Sequence, residues 1–271
     1  MPELPEVETV VRGLRSRVVG LRLGEVTHQS DLIRAANEPG WEAHLPGRRV
    51  GEVRRRGKYI ILHLEEGAAL VIHLRMTGRL WIKPAGYRPG THDRCIISLE
   101  RSGLLVLSDT RQFARVLWRR AEVLATDPGL ARLGPDALDI GLAQFQASCR
   151  QASRPIKSFL LDQTRLAGIG NIYADESLFR AGIRPTTRAS SVNQNRLKRL
   201  HASIRVILNR AIRACGTTFD TFSDLEGHAG GFGPRLHVYG REGLPCHRCG
   251  GLVRRVVVAG RGTHYCPRCQ R

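Results

Sequence analysis

Residues 2–18 have the sequence PELPEVETVVRGLRSRV, and this stretch decides how the fold begins. Its apolar residues recur at the spacing of one helix face, so it predicts an amphipathic helix that starts at the extreme N-terminus. Glu6 and the other charged residues are expected on the opposite, polar face. The apolar positions are Val7, Val10, Val11, Leu14 and Val18.

After Leu21 the pattern changes to short runs rich in Val, Ile and Leu, broken by Gly, Pro and Asp, which predict antiparallel strands of a sandwich or flattened barrel. The expected strands are 48–56, 59–64, 69–74, 79–83, 94–100, 103–108 and 114–119. Helical periodicity returns later in the chain. The expected helices are 141–150, 154–162, 171–181 and 192–214.

The fold class predicted from this order is α+β, with an N-terminal helix plus an antiparallel β-sandwich domain followed by a helical domain. Pro128, Gly129, Gly134 and Pro135 mark the connection between the two. Within the second part, 216–237 contains five glycines and little periodicity, which predicts a mobile loop. The predicted segments are 1–127, a linker at 128–136, 137–237 and a cysteine-rich end at 238–271.

Charge is the strongest compositional signal. The 271 residues include 43 Lys and Arg against 24 Asp and Glu, a formal net charge of +19. Such a field favours a polyanion, and nucleic acid is the most common one, because binding its phosphates releases condensed counterions. An arginine-rich codon bias is the alternative explanation. No run approaches the about 20 apolar residues of a membrane helix, so we expect a soluble, cytoplasmic protein.

Four cysteines lie close together near the end of the chain. Two C-x2-C pairs are separated by sixteen residues, a spacing at which two turns offer four thiolates to one tetrahedral ion. The sequence therefore predicts one structural zinc ion, with a redox or disulfide role as the alternative. The expected ligands are Cys246, Cys249, Cys266 and Cys269.

Pro2 is the first candidate for chemistry. Removal of Met1 before a small residue would expose its secondary amine, which can attack an aldehyde-level carbon and form an iminium directly. An α-amino group also has a pKa roughly two to three units below that of lysine, so more of it is neutral near pH 7. By itself, however, a proline at this position is also an ordinary chain start.

Further motifs change that assessment, because PELPEVE at 2–8 resembles the opening of formamidopyrimidine-DNA glycosylases. The other motifs of that family follow in family order: RRGKY at 55–59, HLRMTG at 73–78, DTRQF at 109–113, LAGIGNIYADESLF at 166–179, VYGREGLPC at 238–246 and GRGTHYCPRCQ at 260–270. The resemblance covers the whole chain. It implies a helix-two-turns-helix domain and a zinc-finger β-hairpin in the second half.

The resemblance implies a bifunctional glycosylase and apurinic/apyrimidinic-site lyase that excises oxidised purines, such as 8-oxoguanine and formamidopyrimidines, from duplex DNA and nicks the strand by β- and δ-elimination. We expect it to act as a monomer. Pro2 would displace the damaged base at C1′, and Glu3 would protonate the opening sugar. Lys58 is expected at a hairpin tip, with its ammonium projecting to assist β-elimination. Arg261 would contact flanking phosphates; proton donation by a guanidinium is physically doubtful because its pKa exceeds about 12.

The resemblance also implies DNA contacts. Met76, Arg111 and Phe113 would enter the duplex where the base is flipped out, although by pattern alone Met76 and Phe113 belong in a core. Gly168 and Gly170 would let backbone N–H groups approach a phosphate, and Asn171 would cap the next helix. The remaining phosphate contacts carried over are His73, His92, Lys157 and Tyr239, and Arg154 is expected to bind DNA as a substitute for a basic cluster that this chain lacks.

Several positions depart from the family pattern. Arg75 and Ala114 stand where glycine is usual, and Gln151, Ala152 and Ser153 replace a basic cluster. Phe219 and Asp220 differ in the loop that, by resemblance, cradles the flipped base, so they bear on lesion preference. Arg150 and Arg154 are candidates to replace the missing cluster.

Three alternatives remain from the sequence. An endonuclease VIII-type enzyme acting on oxidised pyrimidines would usually begin PEGPE, and Leu4 disfavours it. A damaged-DNA binder without chemistry is disfavoured by the intact Pro2, Glu3 and Lys58. A zinc-ribbon transcription or ribosome-associated protein would leave the first 230 residues unexplained.

Overall fold

The computed structural model describes residues 1–101, 103–219 and 222–271; Asp220, one of the departures from the family pattern, lies outside them. The chain forms two compact units. Unit 1 contains Met1–Ala131 and Ala214–Gly231, and unit 2 contains Arg132–Arg213 and Phe232–Arg271. This grouping differs from the boundaries predicted above, because 214–231 packs with the N-terminal unit and the cysteine-rich end packs with the helices.

Unit 1 is built from two four-stranded antiparallel sheets. The strand orders are β1-β6-β7-β5 and β2-β3-β4-β8. The strands are β1 Leu23–His28, β2 Val50–Arg56, β3 Tyr59–Leu64, β4 Ala68–His73, β5 Arg79–Lys83, β6 Asp93–Leu99, β7 Gly103–Ser108 and β8 Arg115–Arg120. The helices are α1 Leu4–Val18, α2 Asp31–Ala35, α3 Ala121–Leu124 and α4 Pro128–Ala131.

The predicted antiparallel sandwich is confirmed, with strand ends within a residue or two of those expected. The strand missed by the sequence pattern is β1, whose pairing with β6 is interrupted by a register shift between Leu23 and Val26. A bulge of this kind breaks the alternation on which a strand prediction depends. The predicted linker 128–136 also contains a helical turn, α4, that belongs to unit 1.

Helix α1 supplies one wall of the core of unit 1. Its five apolar positions are all buried, together with inward residues of both sheets such as Leu62 and Leu105. The expectation for Glu6 was wrong: its side chain is 1% exposed and lies inside unit 1 rather than on the polar face. A carboxylate is buried in a protein only where hydrogen-bond donors surround it.

Unit 2 contains the predicted helices and the terminal hairpin. Their bounds are α5 Leu142–Arg150, α6 Ile156–Leu161, α7 Asn171–Ala181, α8 Gln194–Arg213, β9 Arg254–Val258 and β10 Arg261–Tyr265. Helix α7 ends at Gly182, whose φ of 71° is the left-handed conformation that closes many helices. None of the helices among the described residues has the length and apolar character needed to cross a bilayer.

Candidate active site and nucleic-acid interface

The N-terminus of unit 1 places the first two chemical candidates at the start of α1. Met1 is exposed, whereas Pro2 and Glu3 are buried. Glu3 is the N-cap residue of α1, and its backbone N–H donates to Oε2 of Glu6 at 2.8 Å. The helix start therefore fixes the backbone next to Pro2, so the chain has little freedom at the residues that follow the amine.

Glu6 also reaches a distant part of the chain. Its Oε1 accepts the backbone N–H of Thr217 at 2.7 Å, so one buried carboxylate joins the N-terminal helix to the segment that follows α8. Gly216 is required there: its φ is +82°, and an added Cβ would lie 2.8 Å from Oε1 of Glu6. Within unit 1, the segment expected to cradle a flipped base is thus tied to the helix that carries Pro2.

Lys58 lies at the turn between β2 and β3, as predicted, but its side chain is 6% exposed and does not project into solvent. Arg55 holds this turn against α1. Its Nε donates to Oε2 of Glu8 at 3.0 Å and its Nη1 donates to the carbonyl of Gly57 at 3.1 Å. The turn that carries Lys58 and the helix that carries Pro2 and Glu3 are therefore one structural piece.

His73, the last residue of β4, is a buried neutral imidazole. Burial, followed by the nearby charges of Arg75 and Lys58, lowers its pKa from 6.5 to about 3. Nδ1 accepts the backbone N–H of Arg75 at 3.0 Å, and the ring meets Tyr59 edge to face at 4.6 Å between centroids. The neutral ring therefore carries its proton on Nε2, and at neutral pH it can offer a hydrogen bond but no charge.

Two loops of unit 1, residues 74–78 and 109–114, carry the side chains expected to enter DNA. Arg75 and Gln112 both have positive φ, at 55° and 58°. This conformation is strained for residues other than glycine. Phe113 is 43% exposed, which contradicts a core role, and its ring lies 4.8 Å beneath the guanidinium of Arg111. Met76 is half-buried.

Asp109 connects these two loops and was not recognised in the sequence. Its carboxylate, 1% exposed, accepts the hydroxyl of Thr77 from one loop. From the other loop it accepts the backbone N–H groups of Arg111 at 3.1 Å and Ala114 at 2.7 Å. We refer to residues 74–78 and 109–114 as the wedge loops. Ala114 is buried and lies beside Gly78, so the departure from glycine at 114 is accommodated in the core.

His92 lies just before β6 and is exposed. Its carbonyl accepts the backbone N–H of Asp109 at 2.8 Å, and its Nδ1 lies 3.4 Å from the guanidinium of Arg94. Arg94 in turn donates to the carbonyl of Asp109 at 2.8 Å. His92 is thus attached to the base of the wedge loops, and its ring remains exposed.

In unit 2, the turn between α6 and α7 corrects two predictions. Gly168 donates its backbone N–H to Oε1 of Gln163 at 2.9 Å, so that N–H is already used within the protein. Gly170, rather than Asn171, is the N-cap of α7. Asn171 is the first helical residue, and its Nδ2 donates to the carbonyl of Gly262 in the terminal hairpin at 3.0 Å.

Among the predicted phosphate contacts, Lys157 differs most from its expected position at the surface. Its side chain is fully buried, and its Nζ lies 2.7 Å from Oδ1 of Asp175, which is also fully buried. The same Nζ donates to the carbonyl of Gly262 at 3.0 Å and to the hydroxyl of Thr263 at 2.8 Å. Asp175 also accepts the backbone N–H of His264 at 2.8 Å. These contacts attach the hairpin to α6 and α7.

Glu176, the next residue of α7, binds a second segment. Its carboxylate accepts the backbone N–H groups of three successive residues, His237, Val238 and Tyr239, at 2.8 to 3.0 Å. Burial raises the pKa of this carboxyl, and the three backbone donors oppose that rise. Tyr239 then meets His264 edge to face, with 5.0 Å between ring centroids.

Two cations predicted to bind DNA remain accessible in unit 2. Arg154 is exposed, although its Nη1 lies 2.8 Å from Oδ2 of Asp162, so part of its charge is already balanced. Arg261 is exposed at the start of β10, next to a two-residue turn in which Ala259 and Gly260 both have positive φ, at 47° and 72°. That backbone is typical of a tight hairpin turn, so Arg261 stands at a defined tip.

The four C-terminal cysteines converge. The Sγ atoms of Cys246 and Cys269 are 3.9 Å apart and those of Cys249 and Cys266 are 3.5 Å apart, and all four lie within 4.8 Å of one another. Zinc–sulfur bonds of about 2.3 Å in a tetrahedron require sulfurs about 3.8 Å apart. The donor set fits one Zn²⁺ with no open position. This arrangement is that of a structural site.

Comparisons with known proteins agree with this organisation. Residues 1–116 match the formamidopyrimidine-DNA glycosylase N-terminal domain, 133–223 its H2TH domain, and 243–271 the zinc finger found in these enzymes and in isoleucyl-tRNA synthetases. A formamidopyrimidine-DNA glycosylase of Heliobacterium modesticaldum is 44% identical over the full length of both chains. This chain belongs to the formamidopyrimidine-DNA glycosylase family.

Solved structures of family members are similar throughout. The enzyme of Thermus thermophilus has a TM-score of 0.90 at 42% identity, covering 99% of this chain and 98% of its own. The Lactococcus lactis enzyme in complex with DNA containing an abasic site has a TM-score of 0.93 at 33% identity, with both chains fully covered. The same enzyme has also been solved with DNA containing an oxidised pyrimidine, at a TM-score of 0.91.

For this family member, the sequence motifs identified the candidate groups but missed the carboxylates that position them. Glu6, Asp109, Asp175 and Glu176 lie inside or beside the quoted motifs and are nearly or fully buried. The sequence signal that could have identified them was a carboxylate next to a glycine-rich or turn-forming motif. The partners of these carboxylates, up to 211 residues away in sequence, gave none.

Proposed function

We propose that this chain excises oxidised purines, such as 8-oxoguanine and formamidopyrimidines, from duplex DNA and then nicks the strand. It would act as a DNA glycosylase and as an apurinic/apyrimidinic-site lyase. Full-length similarity to formamidopyrimidine-DNA glycosylases supports the reaction. The observation that carries the proposal for this chain is the buried Pro2–Glu3 start of α1, held against the turn of Lys58 through Glu8 and Arg55.

The proposed chemistry begins when Met1 is removed and the Pro2 nitrogen becomes an amine. That nitrogen attacks C1′ of the damaged nucleotide, the glycosidic bond breaks, and the base leaves. Glu3 donates a proton to the sugar ring oxygen as the ring opens, which leaves an iminium between Pro2 and C1′. Two eliminations then release the 3′ and 5′ phosphates, with Lys58 assisting proton transfer, and a one-nucleotide gap remains.

Base flipping would be supported by the wedge loops. Met76 and Phe113 offer apolar surface to fill the vacated position in the stack, and Arg111 can hydrogen-bond the orphaned cytosine. The stacking of Arg111 on Phe113 favours a rigid pair, since a pre-ordered wedge loses less conformational entropy when it enters DNA. His73 would add a neutral donor near the lesion, and His92 a phosphate contact.

Unit 2 would supply phosphate contacts through Arg261, Arg154, Asn171 and Tyr239. We assign Arg261 to phosphate binding rather than proton donation, because a guanidinium does not release its proton readily. Lys157 would serve indirectly, by holding the hairpin whose tip carries Arg261. The zinc ion bound by the four cysteines would keep that hairpin rigid and take no part in the reaction.

DNA is thus the expected partner, and we further propose that the enzyme works as a monomer in the cytoplasm. Size-exclusion chromatography with light scattering, with and without a lesion duplex, tests the monomer. One protein per duplex is the expected stoichiometry.

Borohydride trapping tests the chemistry. Mature protein beginning at Pro2 should become covalently attached to a duplex containing 8-oxoguanine opposite cytosine, because hydride reduces the iminium. A form that retains Met1 should bind the duplex and give no adduct. Glu3→Gln should slow base excision by about 100- to 10,000-fold, the range attributed to general acid–base catalysis. An equal yield of adduct with Met1 retained would disprove the role of Pro2.

Oxidised pyrimidines are the second candidate substrates, because a family member has been solved with DNA containing one. Rates of excision of thymine glycol and 8-oxoguanine, measured side by side under single-turnover conditions, separate the two. We expect 8-oxoguanine to be removed faster, since the wedge residues Met76, Arg111 and Phe113 are all present. Protein that binds an abasic-site duplex and leaves it uncut would instead be a non-catalytic binder.

A further inference from the structure

A cavity in unit 2 lies outside the groups that the proposed reaction uses. Its volume is about 510 Å³, and it is bordered by the end of α8, the segment after Phe232 and the first zinc-binding turn. That volume falls in the range of small-molecule sites, roughly 300–1,000 Å³. Five of its lining side chains are basic: Arg210, Arg213, Arg235, His237 and His247.

The charges of the three arginines are not balanced locally. Arg210, Arg213 and Arg235 are exposed at the rim, and none of them forms an ion pair with another residue of 1–101, 103–219 or 222–271. No carboxylate lies among the lining residues in that same part of the chain. Elsewhere in the protein many arginines are paired, as Arg154 is with Asp162. Unpaired guanidiniums gathered around one cavity form a site suited to a multiply charged anion.

The inner wall adds a second feature. Ile207 and Phe232 are buried and Pro234 covers one side, so the cations face an apolar floor. Contact with low-dielectric material strengthens the interaction between a guanidinium and an anion compared with open solvent. Burial, together with the neighbouring charges of His247, Arg248, Arg241 and Arg210, lowers the pKa of His237. The cavity is therefore a region of concentrated positive potential.

The cavity is separate from the phosphate contacts proposed above. His237 stacks on Phe179, near the C-terminal end of α7, with 5.4 Å between ring centroids. Asn171 lies at the opposite end of that helix, next to Gly262 of the hairpin. Eight residues at 1.5 Å each separate Phe179 from Asn171, about 12 Å along the helix axis. An anion in the cavity would not be the one contacted by Asn171 and the hairpin.

We propose that this cavity is a second anion site in unit 2 and binds two or more neighbouring phosphate groups. Three guanidiniums can each donate paired N–H groups to phosphate oxygens, which a single carboxylate ligand could not satisfy. Neighbouring phosphate groups occur both in a free phosphoanhydride and in the backbone of a nucleic acid strand. The site goes beyond the proposed reaction, because no chemical step requires it.

Calorimetric titration with inorganic pyrophosphate tests the site directly. The Arg210→Gln/Arg235→Gln double variant should raise the Kd for pyrophosphate at least tenfold. Arg199→Gln is the matched control: Arg199 is exposed on the same helix, about 16 Å further toward its N-terminus. It should change the Kd less than twofold. Borohydride trapping at saturating lesion duplex, measured for every variant, reports separately on folding and on the proposed chemistry.

The source of the phosphates is distinguished with duplexes of 11 and 25 base pairs centred on the lesion. If DNA supplies them, the longer duplex binds more tightly and the double variant loses that gain, while Arg199→Gln keeps it. If a free phosphoanhydride supplies them, pyrophosphate binds and duplex length has no effect. Absence of both pyrophosphate binding and a length effect would overturn the proposal. So would an equal loss in Arg199→Gln, which would indicate only the general charge of the protein.

Discussion

The wedge loops of unit 1 and the zinc hairpin of unit 2 are each held by a buried aspartate, but the two carboxylates bind different partners. In the wedge loops, one buried carboxylate, Asp109, accepts a hydroxyl and two backbone N–H groups, while the side chains of Arg111 and Phe113 stay exposed. In the hairpin region, Asp175 pairs with a buried cation, Lys157, and both are fully enclosed. The contacts of Asp109 leave side chains of the wedge loops facing a ligand. The contacts of Asp175 and Lys157 instead hold the backbone of the hairpin in place.

A charged residue in a motif expected to bind DNA can thus be used inside the protein. Lys157 and Arg111 were both predicted to contact it, but Lys157 has 0% exposure and Arg111 lies on the surface. A buried lysine needs acceptors to compensate for lost water, and Asp175, Gly262 and Thr263 provide them. Arg111 needs none, because solvent hydrates it until DNA arrives.

Removing zinc should give the largest difference between the two regions, because it should unfold the hairpin and leave unit 1 folded. Structural zinc contributes about 10–16 kcal/mol of apparent binding free energy in zinc-finger peptides, so chelation should unfold the hairpin. Hydrogen exchange should then show loss of protection in 243–271 while α1 and β4 stay protected. Lesion-duplex affinity should fall and return when zinc is added back. Protection of the hairpin that survives chelation would contradict the assignment.

Replacing Lys157 with methionine should give the next largest effect. The change leaves Asp175 buried without its cation, and breaking a buried ion pair in this way costs about 3–5 kcal/mol. Urea denaturation of the full chain measures the loss. The double variant Lys157→Met/Asp175→Asn should recover part of it, because the buried charge is gone. A single variant as stable as the parent would show that the pair does not hold the hairpin.

Asp109→Ala should loosen the wedge loops. It leaves a hydroxyl and two backbone N–H groups without their acceptor, each costing about 1–3 kcal/mol if it stays buried. Partial solvation should limit the total to about 3 kcal/mol, and trapping on the lesion duplex should slow. Asp224→Ala is the control, since Asp224 also accepts two backbone N–H groups but at an exposed loop. That control should change stability by less than about 1 kcal/mol.

His73, next to the wedge loops, should make the stability of unit 1 depend on pH. Its pKa is about 3 in the folded protein against 6.5 when unfolded, so the unfolded chain takes up the proton first as pH falls. The contribution of His73 to the free energy of unfolding is therefore fully present above pH 6.5 and is lost progressively as the pH falls to about 3. His73→Asn should remove this contribution, amounting to roughly 2 kcal/mol at pH 5. Unfolding free energies of both proteins at pH 7 and pH 5 provide the test, and parallel pH profiles would contradict it.

Much of the architecture could be predicted because it depends on local spacing. The period of 3.6 located α1, α7 and α8, and the alternation of apolar runs located seven of the eight strands of unit 1. The missing strand, β1, has a register shift that local alternation does not reveal. The division into units was also not predictable in detail, because 214–231 follows a helix of unit 2 and packs in unit 1.

Local sequence was enough to single out Pro2 and Glu3 as candidates for chemistry and to locate the metal site, because its four cysteines lie within the last 26 residues. Tertiary structure decided which charges are buried and what they hold. Glu6, Lys58 and Lys157 were all expected at the surface, and all three are enclosed. The physical reason is that enclosing a charge requires partners, and both Glu6 and Lys157 find some of theirs in segments more than 100 residues away in sequence.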